Sequence, residues 1–519
     1  MKIQYPSYRP RGYQGGVGSY LHRMVRDLRR FLLDAQRLVL RDCLRLRQGG
    51  PEDLAGILVD FAADVHSGAG IWAAYERYNV DLFGTPLPLT TDDGFRESRG
   101  GFHRERVHHL LWVVYQRLSN APVLSPQDAD LQNLADATCR FLEDKFASVP
   151  RGSGVKAFLA TPNTYGWDVK RKLVWLGTQS YMFRLFFRQY LLEECGGKED
   201  IGHTDDFICQ QCTPWSGLGA IDILAGVLDI SDDDRKDLRS WYERYVAPYM
   251  ILSAKTDVLK ARNTINGQEY LIRINMKNHP FVAGLLVIGS LTPWRGEWYW
   301  SGAQRPIKDP PESLLADLKN TMIRRSSGLV YRYDRERQQK AIERMAVLHA
   351  ESLAFYGKDL MVYPDGLSMA ADWQRELHQN WTRQPPEAVQ EMAEKHGLKN
   401  NRPNISIPQD LLESKDGLGV FLNPDSGKEI MEGFNCVLSG LRRKGVGLTE
   451  GEEQAIGAFV CSDTISPRYV RRIVEEFGDE SIKASFRLGE TSVSYWLDYL
   501  LRRYKGSYFR KCYPAISIV

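Results

Sequence analysis

The sequence predicts a mainly α, multidomain protein with an inserted small antiparallel β-barrel or sheet at about residues 251–305 and a short β hairpin near residues 417–427. The length of 519 residues suggests several domains, because one domain commonly takes about 150 residues. Apolar residues recur at three- and four-residue steps through most of the chain, which is the period of a helix. Between residues 251 and 305 the pattern changes to strand-like runs that are separated by turn signals.

The first helix is predicted from about Ser19 to Arg47, because Met24, Leu28 and Phe31 begin an apolar stripe at helical spacing. Two glycines and Pro51 end this helix. Further helices are predicted at residues 51–78, 103–119, 125–146, 168–194, 231–249, 312–325, 334–355, 450–460, 467–477 and 491–503.

Two turn signals define the predicted sheet. Asn266-Gly267 separates two strand-like runs, and Asn-Gly is typical of a type I′ turn, in which both central residues have positive φ. The run from Pro293 to Gly296 separates two more, so at least four strands are expected. The later run GLGVFLNPDSG, residues 417–427, has the turn residues of a short hairpin.

Shifts in composition divide the chain into six predicted segments. They are a flexible arm (1–16), an N-terminal helical domain with a basic first helix (17–150), a helical region with a Cys/His cluster (151–249), the small barrel or sheet (250–306), a helical region that ends in a polar linker (307–404), and a C-terminal hairpin with a helical domain (405–519).

The sequence also predicts the compartment. The longest nearly uncharged apolar run, residues 281–291, is far shorter than the roughly 20 residues of a membrane-spanning helix, so no membrane span is expected. Eight cysteines are too sparse for a disulfide framework, and Met1 is not followed by an apolar signal core. A cytoplasmic location is therefore expected, and the sequence leaves the oligomeric state open.

Basic residues concentrate at the start of the chain. The first 50 residues hold eleven Lys and Arg against three Asp, a net charge of +8, which leaves −5 for the rest. Six arginines fall on one face of the first helix, opposite its apolar stripe. They are Arg23, Arg26, Arg30, Arg37, Arg41 and Arg45. Such a row can bind nucleic acid, an acidic protein surface or anionic lipid, or can pair with acidic residues of the same chain.

A second basic segment lies near the C-terminus, where lysines and arginines alternate with tyrosine and phenylalanine. The basic residues are Arg502, Arg503, Lys505, Arg510 and Lys511. Basic and aromatic side chains together favour single-stranded nucleic acid, although the aromatic rings could equally anchor the last helix to a core.

Two tryptophans are the aromatic candidates within the predicted sheet. Strand alternation places Trp298 and Trp300 on one face, with Glu297 and Tyr299 on the other. The face with the two tryptophans could bind bases or an extended peptide. Alternatively, it could form the packed interior of a small barrel.

A Cys/His cluster is the most specific chemical signal. Cys195, His203, Cys209 and Cys212 provide the N and S ligands that zinc prefers, and a Cys-x-x-Cys turn presents two thiolates to one ion. The prediction is one structural zinc ion. The alternative is unrelated thiols near a helix end, because only half of the usual two-pair pattern is present.

Arg344 and His349 are the candidate catalytic residues. Their Arg-x4-His spacing resembles that of some helical ribonucleases, in this single feature. Arg104 and His109 repeat the spacing, which shows how easily an arginine-rich chain produces it by chance.

These observations favour an intracellular binding or regulatory protein of bacterial type that contacts nucleic acid or an acidic protein partner through basic helices. One alternative is a hydrolase, either ribonuclease-like or zinc-dependent. The other is a regulatory or toxic accessory of a mobile-element or antiviral defence system. Binding is favoured over catalysis, because no phosphate-binding loop, nucleophile elbow or HExxH helix occurs in the sequence.

Overall fold

The fold is taken from a computed structural model of the chain. It describes residues 8–13, 17–38, 46–90, 101–119, 124–152, 154–275, 278–325, 328, 334–390, 404–488 and 495–510. Contacts divide the chain into two compact units. Unit 1 comprises residues 1–322 and 487–507, and unit 2 comprises residues 323–486 and 508–519.

The prediction of a mainly α protein is confirmed. The helices of unit 1 are α1 Gly18–Leu38, α2 Gly50–Ser67, α3 Ile71–Phe83, α4 Arg104–Leu118, α5 Ala129–Phe146, α6 Gly154–Leu159, α7 Gly166–Gln179, α8 Arg184–Cys195, α9 Ile201–Gln210, α10 Ala220–Val227 and α11 Asp232–Arg239. Helix α12, Glu312–Arg325, spans the boundary between the units. Those of unit 2 are α13 Arg335–Tyr356, α14 Gly366–Thr382, α15 Gln409–Glu413, α16 Phe434–Arg442, α17 Glu450–Cys461, α18 Pro467–Phe477 and α19 Glu480–Ser485. Helix α20, Trp496–Lys505, returns to unit 1.

The inserted β segment is a closed five-stranded barrel, as the sequence indicated. Its strands are β1 Val246–Ala254, β2 Val258–Asn263, β3 Glu269–Arg273, β4 Leu286–Trp294 and β5 Glu297–Ile307, in the order β1-β2-β3-β5-β4. The prediction of a wholly antiparallel sheet is corrected at one place, because β3 and β5 pair in parallel. A ring with an odd number of strands cannot alternate direction throughout, so one neighbouring pair must run parallel.

The two predicted turns are both present, but the type I′ geometry expected at the first is found at the second. The connection at Asn266-Gly267 does join β2 to β3, but only Gly267 has positive φ, and the Asn263 carboxamide caps this longer loop by accepting from the Ile265 N–H at 2.8 Å. The two-residue turn with positive φ at both positions is Arg295-Gly296, between β4 and β5. The turn geometry expected at Asn266-Gly267 is therefore wrong.

The predicted C-terminal hairpin consists of β7 Leu418–Asn423 and β8 Gly427–Glu432. A third strand that the sequence did not indicate, β6 Leu360–Tyr363, pairs antiparallel with β7. The strand order is β6-β7-β8, so β7 is the central strand of this sheet, and buried Met361, Val420 and Met369 belong to the core that packs against it.

A buried ionic cluster connects the barrel to the helices within unit 1. Asp205 of α9 is 3% exposed and accepts from Lys170 of α7 and, at 2.8 Å, from Ser301 of β5. Arg244, just before β1, places its Nε 3.1 Å from the Asp205 carboxylate and donates to Ser290 of β4 at 2.7 Å. Helices α7 and α9 are thereby fixed to neighbouring strands of the barrel.

Residues 8–13, part of the segment predicted to be a flexible arm, pack on helices of unit 1. The Tyr8 carbonyl accepts from the Trp175 indole at 3.0 Å, and the Tyr8 ring lies 4.2 Å from the Arg184 guanidinium. Arg9 is 8% exposed and pairs with Asp60.

Among the described helices, none taken singly has the length and apolarity to cross a membrane. Helices α2 and α3 meet these two criteria only as a pair, with a bend of 85° between them.

Candidate functional site

Helix α1 buries one face and exposes the opposite one, as the spacing of its residues requires. The buried side chains are Leu21, Met24, Val25, Leu28 and Leu32. On this side α1 packs against α2 and α5, where Phe31 stacks on Phe141 with ring centroids 5.4 Å apart. Arg23, Arg26 and Arg30 are exposed.

Three exposed arginines of α1 have no ion-pair partner among the residues that the structure describes. Within the part of the chain that the structure describes, no carboxylate lies within 4 Å of Arg23, Arg26 or Arg30, although Asp27 and Asp34 belong to the same helix. We call Arg23, Arg26 and Arg30 the arginine face. The neighbouring Arg29 is also exposed and lies 4.0 Å from Glu52, a distance at which an exposed ion pair contributes little.

The other predicted members of the row are not described at side-chain level. The backbone of Arg37 lies in α1, but its side chain falls outside the described residues, as do Arg41 and Arg45 entirely.

Two of the four described basic residues of the C-terminal segment are buried, so these two do not contribute to an exposed phosphate-binding surface. Arg503 and Lys505 are 5% and 0% exposed. Arg503 lies 4.4 Å from the Trp112 ring of α4, which is a cation–π contact, and donates to the Pro214 carbonyl at 3.4 Å. Helix α20 is therefore anchored to the core of unit 1, which is the alternative that the sequence left open. Arg502 and Arg510 are half-buried, and Lys511 lies outside the described residues.

Trp298 and Trp300 share one face of β5, as predicted, and that face is packed. Trp298 meets Tyr270 edge-on at 4.8 Å, and Trp300 meets Tyr249 edge-on at 5.6 Å and stacks on Phe281 at 6.1 Å. Both tryptophans are half-buried. The arrangement is that of rings that fill a small barrel, rather than an open platform for bases.

The four predicted zinc ligands have separate surroundings. The Cys195 thiol lies 2.9 Å from the Lys198 carbonyl at the end of α8, and the His203 ring is bonded to the Asp200 carboxylate. Cys209 is 2% exposed beside the ionic cluster, 3.5 Å from Lys170, and burial raises the pKa of its thiol. Cys212 is half-buried. Among the described residues, no three His, Cys, Asp or Glu side chains are arranged to hold a metal ion.

Zinc binding stays a prediction that metal analysis tests. If these residues form a site, protein purified without chelators contains one zinc ion per chain, and both Cys209→Ser and Cys212→Ser lose it. Cys436→Ser is the control, because this exposed thiol lies outside the cluster. Zinc well below one ion per chain in the wild type, or zinc retained by both variants, would contradict the site.

The two Arg-x4-His pairs are not alike in the structure. Arg344 is exposed on α13, whereas His349 lies in the wall of a cavity and binds the Leu422 carbonyl through Nε2 at 3.1 Å. His109 is fully buried, 2.7 Å from the Tyr75 hydroxyl, and burial holds its pKa well below the usual value of 6.5. No contact joins the arginine and histidine of either pair, so the geometry adds no support to ribonuclease chemistry.

Sequence reasoning missed the groups that share this cavity of unit 2, above all Glu376 and Lys428. They are 52 residues apart in the chain, so no short spacing links them. The one available signal was that Glu376 directly precedes Leu377 and follows Trp373 by three helical positions, a pattern that is common at helix edges.

Comparisons with known proteins give one partial match. Residues 52–192 match a protein family described as "Protein of unknown function (DUF3843)". The matched segment runs from α2 into α8 of unit 1 and includes neither α1 nor the barrel. No curated protein and no solved structure is significantly similar to the chain.

Proposed function

We propose that the protein binds nucleic acid through the arginine face of α1. The observation that supports this proposal is that Arg23, Arg26 and Arg30 are exposed on one helix side and have no carboxylate partner within the described residues. Guanidinium groups bind phosphate oxygens in a planar, two-pronged geometry, and each phosphate contact releases counterions from the nucleic acid. The row therefore provides affinity without sequence specificity.

The same face is poorly suited to an acidic protein partner. Protein interfaces usually have an apolar centre, with aromatic residues enriched and a polar rim around it. In α1 the only large apolar side chain that is exposed among those described is Tyr20, at 46%. A tyrosine beside arginines suits a base or sugar of a flexible strand, so nucleic acid is the partner that we favour.

The test measures the affinity for 20-nucleotide single-stranded and duplex DNA and RNA by fluorescence anisotropy across a salt series. The triple variant Arg23→Glu/Arg26→Glu/Arg30→Glu is expected to weaken binding at least about tenfold at low salt. It should also make the log-log salt slope shallower by about 2–3, since each lost phosphate contact removes about 0.7–0.9 of slope.

The matched control is Arg335→Glu/Arg344→Glu, which reverses two exposed arginines on α13 of unit 2. It should leave the affinity within about twofold if α1 carries the binding. Equal loss in both variants would indicate a nonspecific effect of net charge and would contradict the proposal. If the wild-type protein binds none of the four nucleic acids but binds immobilised polyglutamate, the proposal is wrong, and an acidic protein becomes the expected partner of the arginine face.

A further inference from the structure

Helix α13 of unit 2 is long, but few of its side chains are buried in its own unit. Of its 22 residues, only Ala341 and Met345 are buried. These two residues are four positions apart and therefore share one side of the helix. Most of the stability of a helix in a folded protein comes from packing an apolar face against a neighbour. In α13 that packing uses one narrow side, and the opposite side is exposed.

The exposed side of α13 carries apolar residues. Ile342, Val347 and Leu353 are 44%, 56% and 37% exposed. Three exposed alanines at steps of four residues complete the set: Ala346, Ala350 and Ala354. All six lie within an arc of about 140° of the helix, and we call them the apolar face. The solvent side of a surface helix usually carries polar residues, so this face is typical of a contact with a second helix, which the alanines allow to approach closely.

Two charged residues at the edge of the apolar face have no ion-pair partner among the described residues. Arg344 is exposed and Glu351 is half-buried, and both are helical neighbours of Val347. By contrast, Lys340 pairs with Glu336 of the same helix at 2.6 Å. The positions of Arg344 and Glu351 are about 10 Å apart along the helix axis, which is too far for an ion pair between them. One edge of α13 thus presents a positive and a negative group that are both unpaired within the described residues.

We propose that α13 pairs with α13 of a second copy of the chain, antiparallel and about a two-fold axis. When the axis passes midway between Arg344 and Glu351, each Arg344 lies opposite Glu351 of the other copy, and Ile342 lies opposite Leu353. A parallel pair would place like charges beside each other, so the charges select the antiparallel one. Because one surface carries both members of each ion pair, it fits a second copy of itself. This contact is independent of nucleic-acid binding by the arginine face.

The test is sedimentation velocity of the full chain over a concentration series up to about 200 μM. One helix from each copy forms a smaller contact than the standard interface of about 1,600 Å², so a micromolar dissociation constant is expected. Ala346→Glu places a charge at the centre of the apolar face and should raise this constant at least about thirtyfold. The matched control Ala371→Glu changes an exposed alanine of α14 and should stay within about twofold of the wild type. Both variants should keep the wild-type circular dichroism spectrum, since both alanines are exposed.

Charge reversal tests the orientation and the identity of the partner. Arg344→Glu and Glu351→Arg should each raise the dissociation constant about tenfold, because like charges then face each other. The double variant Arg344→Glu/Glu351→Arg restores both ion pairs and should return the constant to within about threefold of the wild type. An equimolar mixture of the two single variants should dimerise equally well, since each supplies the charge that the other lacks.

The proposal is overturned if the wild type is monomeric at every concentration, or if Ala346→Glu dimerises as Ala371→Glu does. It is also overturned if neither the double variant nor the mixture restores dimerisation, which would mean that the two copies do not meet in this register. Because Arg344→Glu weakens the dimer, Ala346→Glu is also the reference for the nucleic-acid affinity of the α13 control variant.

Discussion

Replacing Asp205 with asparagine is expected to lower the free energy of unfolding of unit 1 by about 3–5 kcal/mol. The substitution keeps the shape of the side chain and removes its charge. Arg244 then remains buried and Lys170 half-buried beside a neutral group, and removing one partner of a buried ion pair is far more costly than removing an exposed one. Urea unfolding followed by tryptophan fluorescence measures the change, since buried Trp215, Trp241 and Trp294 lie in unit 1.

The neighbouring Asp206 provides the control. It also pairs with Arg244, but its side chain is 42% exposed, so Asp206→Asn should cost no more than about 1 kcal/mol. In the double variant Lys170→Met/Asp205→Asn, the loss should be smaller than the sum of the two single losses, because both charges of one pair are gone. A loss for Asp205→Asn no larger than that for Asp206→Asn would show that the cluster does not stabilise the barrel on its helices.

The same carboxylate predicts a pH dependence. Burial alone would raise the pKa of Asp205, but the Lys170 ammonium and the Arg244 guanidinium outweigh it and hold this pKa below the usual value of 3.8. A group with a depressed folded-state pKa contributes its full stability above pH 3.8 and loses it as the pH falls through the folded-state value. The difference between wild type and Asp205→Asn should therefore be constant from pH 5 to 7 and shrink below about pH 4.

Replacing Gly217 with alanine is expected to destabilise unit 1 by about 2–5 kcal/mol. The residue has φ +73°, in the left-handed region that side chains disfavour, and an added Cβ would lie 2.3 Å from the Arg502 carbonyl oxygen of α20. Gly506 is also close, with its Cα 3.1 Å from that position. Because the obstacle is backbone rather than a flexible side chain, either the Gly217 loop or α20 must shift.

Gly152→Ala is the matched control for this prediction. Gly152 lies in unit 1, has an ordinary φ, and nothing stands within 4 Å of an added Cβ. Its substitution should change the free energy of unfolding by less than about 0.5 kcal/mol. If Gly217→Ala unfolded at the same urea concentration as Gly152→Ala, the close approach of α20 to this loop would be wrong.

The features that the sequence predicts well are local ones. The apolar stripe of α1 predicts which face is buried, because neighbours three and four residues apart share a side of any helix. The strand-like pattern of residues 251–305 likewise predicts an inserted sheet. The sequence predicts turn geometry less well. At the tight β4–β5 turn, Arg295 is bound by Asp237 and Asp234, and both acidic residues lie about 60 positions upstream, where a local pattern does not show them.

Charged residues show what the sequence could not determine. Arg23 and Arg503 are both arginines on amphipathic helices, yet the first is exposed and the second packs on Trp112, almost 400 positions away in the chain. Cys209 was singled out by its Cys-x-x-Cys spacing, which says nothing of its position beside Lys170 in the ionic cluster. Spacing alone cannot distinguish these outcomes, because it reports nothing about distant neighbours.

By itself, then, the sequence determined the mainly helical class, the inserted barrel and the amphipathic basic helix, because each depends on periodicity within one segment. Only the tertiary structure decided which basic groups are buried, how five strands close with one parallel pair, and where Glu376, Lys428 and Trp373 meet. Those outcomes depend on contacts between residues far apart in the chain, and the low-dielectric interior makes each buried charge depend on its partner.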